Sequence, residues 1–126
     1  MFPFIKEMNN AYSASDLVIS RSGALTLAEL SATGKAAILI PSPNVADDHQ
    51  TKNALSYTNK NAAVLVKNTD LRTALLPTIL STISDKSLMN TLEENIKKFH
   101  QPEVCKLIVE NIYEILNTTK KNPNAK

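Results

Sequence analysis

Between Asp16 and Glu29 the chain reads Asp-Leu-Val-Ile-Ser-Arg-Ser-Gly-Ala-Leu-Thr-Leu-Ala-Glu, a stretch that leaves little choice of local fold. The apolar run Leu17 to Ser20 has the length and composition of a short buried strand. Small polar residues and a glycine end it, and Leu25, Leu27, Ala28 and Leu30 then fall at helical spacing. A strand that turns tightly into a helix aims the helix's free N–H groups, and the positive end of its dipole, at one spot. Such a spot suits a phosphate group. Glu29, one helical turn further in, would reach a hydroxyl-bearing neighbour such as a ribose. The plainer alternative is that strand, Ser-Gly turn and helix recur throughout α/β proteins, where an acid on a helix is usually only solvated. The motif by itself leaves both readings open.

The rest of the chain supplies the frame. Ile5, Met8, Ala11 and Tyr12 predict a short helix over Phe4 to Ser13 that enters the first strand. Ala36-Ala-Ile-Leu-Ile-Pro41 is a continuous apolar run stopped by proline, the pattern of a strand covered on both faces. Pro41, Pro43, Asn44, Asp47 and Asp48 predict a loop, followed by a helix from His49 to Asn59 and a third strand from Ala62 to Val66. From Thr69 the pattern is helical. One helix, capped by Asn68, Thr69 or Asp70 and interrupted by Pro77, runs to Ser84; others span Lys86 to Phe99 and Pro102 to Asn117. The chain has only two glycines, Gly23 and Gly34, both at element ends, where positive φ or a close backbone approach is expected. The order helix, strand, helix, strand, helix, strand and three helices predicts α/β architecture: half of a doubly wound parallel sheet with a helical extension. Its first strand is left without a neighbour on one side.

Composition narrows the function classes. Fourteen basic residues against twelve acidic ones leave a formal charge of +2, too little to argue for nucleic acid. The lone cysteine, Cys105, excludes an internal disulfide and lies in the apolar pattern of a late helix, where a core role is expected. His49, His100 and Cys105 are too far apart to form a metal-ligand pattern, and no metal or cofactor is expected. No apolar run approaches the length of a membrane span and no signal peptide is visible, so a soluble, cytoplasmic protein is expected. The segment from Thr118 to Lys126 reads as a solvated, disordered tail after one domain over 1–117.

The segments Phe4-Ile5, Tyr12, Ala14 to Asp16, Arg21-Ser-Gly-Ala-Leu-Thr-Leu-Ala-Glu-Leu30, Pro41 and Asp48-His-Gln-Thr-Lys-Asn-Ala54 resemble, in order and spacing, the C-terminal part of the MurG family. These peptidoglycan glycosyltransferases transfer N-acetylglucosamine from UDP-GlcNAc to lipid I, making lipid II. The resemblance covers nearly the whole chain to Asn117. It implies the GT-B fold, with this chain as the second half of the Rossmann-like C-terminal domain that holds the sugar donor. Glu29 would accept hydrogen bonds from both ribose hydroxyls, and the backbone of Ala24, Leu25 and Thr26 would cradle the diphosphate. Ile5 would lie against the uracil. His49 and Gln50 would hold sugar hydroxyls, at a pair of positions where some members carry two glutamines. Ser22 and Arg21 belong to the same motif, with packing or pairing near the turn the alternative for Arg21.

The resemblance also bounds the chemistry. An inverting transferase needs a base for the acceptor hydroxyl and electrostatic stabilisation of the departing diphosphate. The Gly23 turn would supply the second. In the family the base, the lipid I contacts and the membrane contacts lie in an N-terminal domain, on the cytoplasmic face of the inner membrane, and none of these is present here. No catalytic residue is therefore expected, and the chain is expected to be a donor-binding fragment, inactive alone. The alternative is a separate nucleotide-sugar-binding subunit or non-catalytic module that needs a partner chain. UDP-GlcNAc 2-epimerases share the GT-B fold, but their catalytic carboxylates are not seen. The unpaired first strand and apolar helix faces predict self-association.

Overall fold

The run Ala36 to Leu39 forms the central strand of the sheet, and all four of its residues are fully buried. The computed structural model describes residues 4–43 and 48–121. The elements in order are α1 (Met8–Ala14), β1 (Leu17–Ser20), α2 (Ala24–Thr33), β2 (Ala36–Leu39), α3 (His49–Thr58), β3 (Val64–Leu65), α4 (Leu71–Ser84), α5 (Lys86–Lys97) and α6 (Val104–Lys121), with a 3-10 turn at Asn68–Asp70 before α4. The strands lie in the order β1-β2-β3, all parallel, with Leu17 opposite Ala36 and Ile38 opposite Val64. Parallel neighbours need crossover connections, and α2 and α3 provide them.

Side-chain alternation along β2 divides the core in two. Ala37 and Leu39 pack with Tyr12 of α1, Leu27 and Leu30 of α2, Ala54 of α3 and Ile96 of α5. On the opposite face Ile38 and Ile40 join Val66, covered by Leu71, Ala74, Leu75 and Ile79 of α4. The result is three layers with β2 sealed between helices, as a continuous apolar strand requires. β1 is an outer strand, and its Ile19 is 42% exposed. α6 is strongly amphipathic, and its Leu107, Ile108, Ile112, Ile115 and Leu116 are each more than half exposed.

Several element ends differ from the sequence expectation. α1 starts at Met8 rather than Phe4, and both Phe4 and Ile5 are exposed. β3 shortens to two residues, although Val66 still donates its N–H to the Leu39 carbonyl at 3.0 Å. Pro77 does not interrupt α4, which is continuous through it; the ring sits on an exposed position, where the lost backbone bond falls in contact with water. None of the three expected caps bonds the start of α4 through its side chain, Asn68 being drawn instead to Arg21 at 2.7 Å. Asp85 does cap α5, accepting from the Leu88 N–H at 2.9 Å. α6 continues to Lys121, so the first four residues of the tail expected from Thr118 are helical; the rest of that tail, the loop residues Asn44 to Asp47 and the side chain of Cys105 lie outside the described residues.

The two glycines serve different ends. Gly34 closes α2 in the left-handed region at φ 65°, and a Cβ there would meet only the flexible Lys97 side chain of α5, so it is the turn that requires glycine. Gly23, by contrast, has φ −67°, which any residue adopts, so the expectation of positive φ does not hold there. Gly34→Ala is expected to lower stability by about 1–2 kcal/mol through the left-handed backbone alone, even if Lys97 swings aside. Urea unfolding measures this as a lower midpoint with an unchanged slope.

Candidate functional site

All three strands run the same way, so their C-terminal ends share one edge of the sheet, where α/β proteins form their ligand crevices. At the end of β1 the turn Arg21-Ser22-Gly23 leads into α2. Its polar side chains hold the turn in place. Ser22 is completely buried and donates its hydroxyl to the Gln50 carbonyl at 2.7 Å, while its own carbonyl accepts from Asn53 Nδ2 at 3.2 Å. These two bonds lock the turn to the first turns of α3. Arg21 Nη1 reaches the carbonyls of Ile40 and Pro41, at 3.2 and 3.1 Å, and Asn68 Oδ1, so it clips the end of β1 to the ends of the other two strands. Of the two readings open for Arg21, the structure places it as a polar clamp at the turn.

The helix start is left open. Gly23 is the N-cap of α2 and offers no side-chain cap. The first intrahelical bond goes from Leu27 N–H to Gly23 O, at 3.0 Å, so the N–H groups of Ala24, Leu25 and Thr26 have no intrahelical acceptor. A Cβ on Gly23 would meet nothing nearer than Thr26 Oγ1 at 4.0 Å. Neither conformation nor packing demands glycine here; its effect is to leave space in front of the exposed amides, in the field of the helix dipole.

Beside this start lies a cavity of about 430 Å³ whose walls include Ile5, Tyr12, Ser20, Thr26 and Glu29. Glu29 is half-buried, and its Oε2 accepts a hydrogen bond from the Tyr12 hydroxyl at 2.8 Å. Burial, reinforced by the adjoining carboxylate, pushes the Tyr12 phenol up to about 12, so it remains a protonated donor. Ser20 Oγ, on the same wall, is a buried polar atom with no hydrogen-bond partner among the described residues. A second cavity, of about 470 Å³ and mostly apolar, opens on the other side of Glu29 between Ala28, Ala32, Phe99 and Val104.

The residues singled out from the sequence thus fall into groups. Ile5, Thr26 and Glu29 line one cavity, with the exposed Ala24 and Leu25 at the helix start beside it. Ser22 and Gln50 are joined behind the turn, the serine by its side chain and the glutamine by its backbone. The Gln50 side chain also accepts from Ser42 N–H at 2.9 Å through Oε1, leaving Nε2 as its donor group. His49 is exposed at the first position of α3 and does not line the cavity of Glu29. Tyr12 joins the cavity wall although its helical spacing in the sequence marks it as core. The available signal was its hydroxyl, which a buried tyrosine has to satisfy.

The chain has known relatives in sequence and in fold. Residues 1–118 match the glycosyltransferase family 28 C-terminal domain. The chain is 45% identical over 118 residues to the UDP-N-acetylglucosamine--N-acetylmuramyl-(pentapeptide) pyrophosphoryl-undecaprenol N-acetylglucosamine transferase of Cytophaga hutchinsonii, covering 94% of this chain and 32% of that protein. It is 46% identical over 114 residues to the transferase of the same name from Parabacteroides distasonis, covering 90% and 31%. Among solved structures, Acinetobacter baumannii MurG superposes with a TM-score of 0.80 at 33% identity, over 90% of this chain and 33% of that one. The chain therefore spans about a third of the length of the relatives it matches. Its three parallel strands and flanking helices correspond to part of the GT-B C-terminal domain. With the match extending over nearly its full length, the chain belongs to the glycosyltransferase family 28 C-terminal domain family.

Proposed function

We propose that this chain is the donor-binding part of a transferase that moves N-acetylglucosamine from UDP-GlcNAc to lipid I. The observation that carries the reading is the uncapped start of α2, with open space at Gly23 and the Glu29 carboxylate facing the adjoining cavity. Glu29 follows Ala24 by five residues, a rise of roughly 7.5 Å along the helix, and its side chain leans back toward the helix start. A diphosphate on the amides of Ala24, Leu25 and Thr26 would then set its ribose against Glu29. Ile5, across the cavity, offers an apolar surface to the uracil, and Gln50 Nε2 and His49 are the groups for sugar hydroxyls. Ser22 serves the site by holding the turn, since its hydroxyl is committed to Gln50. The names of the relatives support the substrate class.

In this reading the chain contributes one of the two catalytic requirements. The amides and dipole of α2 stabilise the negative charge that builds up on the departing UDP. The base for the acceptor hydroxyl, the lipid I contacts and the association with the cytoplasmic membrane face belong to other parts of a whole transferase. Among the described residues no helix is long and apolar enough to cross a membrane, which fits a peripheral arrangement. The free edge of β1 and the apolar face of α6 need cover, and in the isolated chain we infer self-association through one or the other.

Three outcomes are expected. Glu29→Ala should weaken UDP-GlcNAc binding about ten- to a hundredfold in calorimetry, the loss of charge-assisted bonds to the ribose; wild-type affinity would remove the ribose role. Incubated with lipid I and UDP-GlcNAc, this polypeptide should give no lipid II, and turnover would show that it holds a base. Sedimentation at rising concentration should show growing association, against which a monomer at every concentration would count.

A further inference from the structure

Tyr12 belongs to the core by every measure except its hydroxyl. The residue is 5% exposed and packs with Leu27, Leu30 and Leu39, where a phenylalanine ring would serve as well. The extra oxygen leaves that cluster and donates to Glu29 Oε2 at 2.8 Å, between residues seventeen positions apart and on different helices. Both residues line the same cavity.

We propose that Tyr12 is a positioning residue for nucleotide recognition: its hydroxyl fixes the rotation of the Glu29 carboxylate, committing Oε2 to the protein and presenting Oε1 to the ribose. The proposal rests on the reading of Glu29 given under Proposed function. A glutamate on a helix surface has several freely rotating torsions, and a ligand that orders them gives up affinity. Here the ordering is done before the ligand arrives. The phenol keeps its proton well above neutral pH, so the direction of the bond, phenol to carboxylate, does not change under working conditions. The Tyr12 bond takes one of the four acceptor sites of the carboxylate, so Oε1 keeps both of its lone pairs and the ribose hydroxyls still find acceptors on the oriented group. The same bond ties α1, which follows Ile5 on one wall of the cavity, to α2 on the other, so the uracil and ribose contacts are set relative to each other.

The test is calorimetric titration of the chain with UDP and with 2′-deoxy-UDP, for the wild type, Tyr12→Phe and Glu29→Gln. The wild type should prefer UDP. Tyr12→Phe should lose about five- to tenfold in UDP affinity and about twofold or less for 2′-deoxy-UDP, with a melting temperature near that of the wild type. A Phe variant that binds both nucleotides as the wild type does overturns the proposal. So does one that loses both equally, which is what a purely structural role would give. Glu29→Gln separates this from the underlying reading. If the Gln variant keeps the wild-type preference for UDP, the ribose role of Glu29 falls and the proposal with it; if it erases the preference while Tyr12→Phe retains it, only the role of Tyr12 falls. Should the Phe variant melt below the assay temperature, wild-type chain carrying tyrosine labelled at Cζ replaces it. The Tyr12 signal should shift more with UDP than with 2′-deoxy-UDP, and equal shifts overturn the proposal.

Discussion

The need to cover β2 on both faces governs this structure. Its four residues are apolar and fully buried, so helices must lie above and below it, and in a parallel sheet two of them, α2 and α3 on one face, also return the chain to the starting edge. Crossover helices of this kind begin where strands end. The starts of α2 and α3 therefore converge at the C-terminal edge of the sheet whatever the turn residues happen to be. The turn decides what that edge can bind, while the burial of β2 decides that there is an edge with helix starts on it. The side chains of Ala37 and Leu39 on one side, and of Ile38 and Ile40 on the other, thus position the site from the core.

At that edge, polar groups are divided between holding the protein and facing the crevice. Arg21 spends Nη1 on two carbonyls and Asn68, Ser22 spends its hydroxyl on Gln50, and Asn53 spends its amide on Ser22. Each of these side chains satisfies backbone or polar groups that the fold would otherwise strand at the ends of strands and loops. At the helix start the donors left without an intrahelical acceptor are backbone: the amides of Ala24, Leu25 and Thr26. Backbone donors held by so many external ties present a fixed array that need not reorganise as charge builds up on a ligand, the condition under which electrostatic stabilisation is strongest.

The sequence made the frame legible where a signal was local. β1 has the expected bounds because an acid and a turn bracket its apolar run, and Gly34 ends α2 in the left-handed region because no other nearby residue favours it. Local signals misled where long-range or solvent terms decided. Apolar spacing from Phe4 suggested four more residues of α1, yet Phe4 is 76% exposed and has no core face to pay for ordering it. Pro77 reads as a breaker, but a helix packed through Leu75 and Ile79 tolerates one missing bond on its wet side. The link between Tyr12 and Glu29, and that between Arg21 and Asn68 forty-seven residues on, exist only once the layers have assembled. Periodicity assigns Tyr12 to the core correctly and is blind to its hydroxyl.

On the proposed reading, the contacts in this chain lie mostly on parts of the donor that do not react. Uracil and ribose are remote from the breaking bond, and energy gained there helps catalysis only if it fixes the donor so that the diphosphate meets its stabilising field as charge develops. That requires rigid coupling between the nucleoside contacts and the helix start. The structure has such a coupling in two places: α2 itself carries both Glu29 and the open amides, and the Tyr12 bond joins α1 to the same helix. A donor gripped by Glu29 is thereby registered against the amides of Ala24 to Thr26 through a single rigid element. Motion between nucleoside and phosphate contacts would have to distort α2 or break its junction with α1. This makes the acid's position on the same helix as the phosphate site, and not its charge alone, the property on which the proposed function turns.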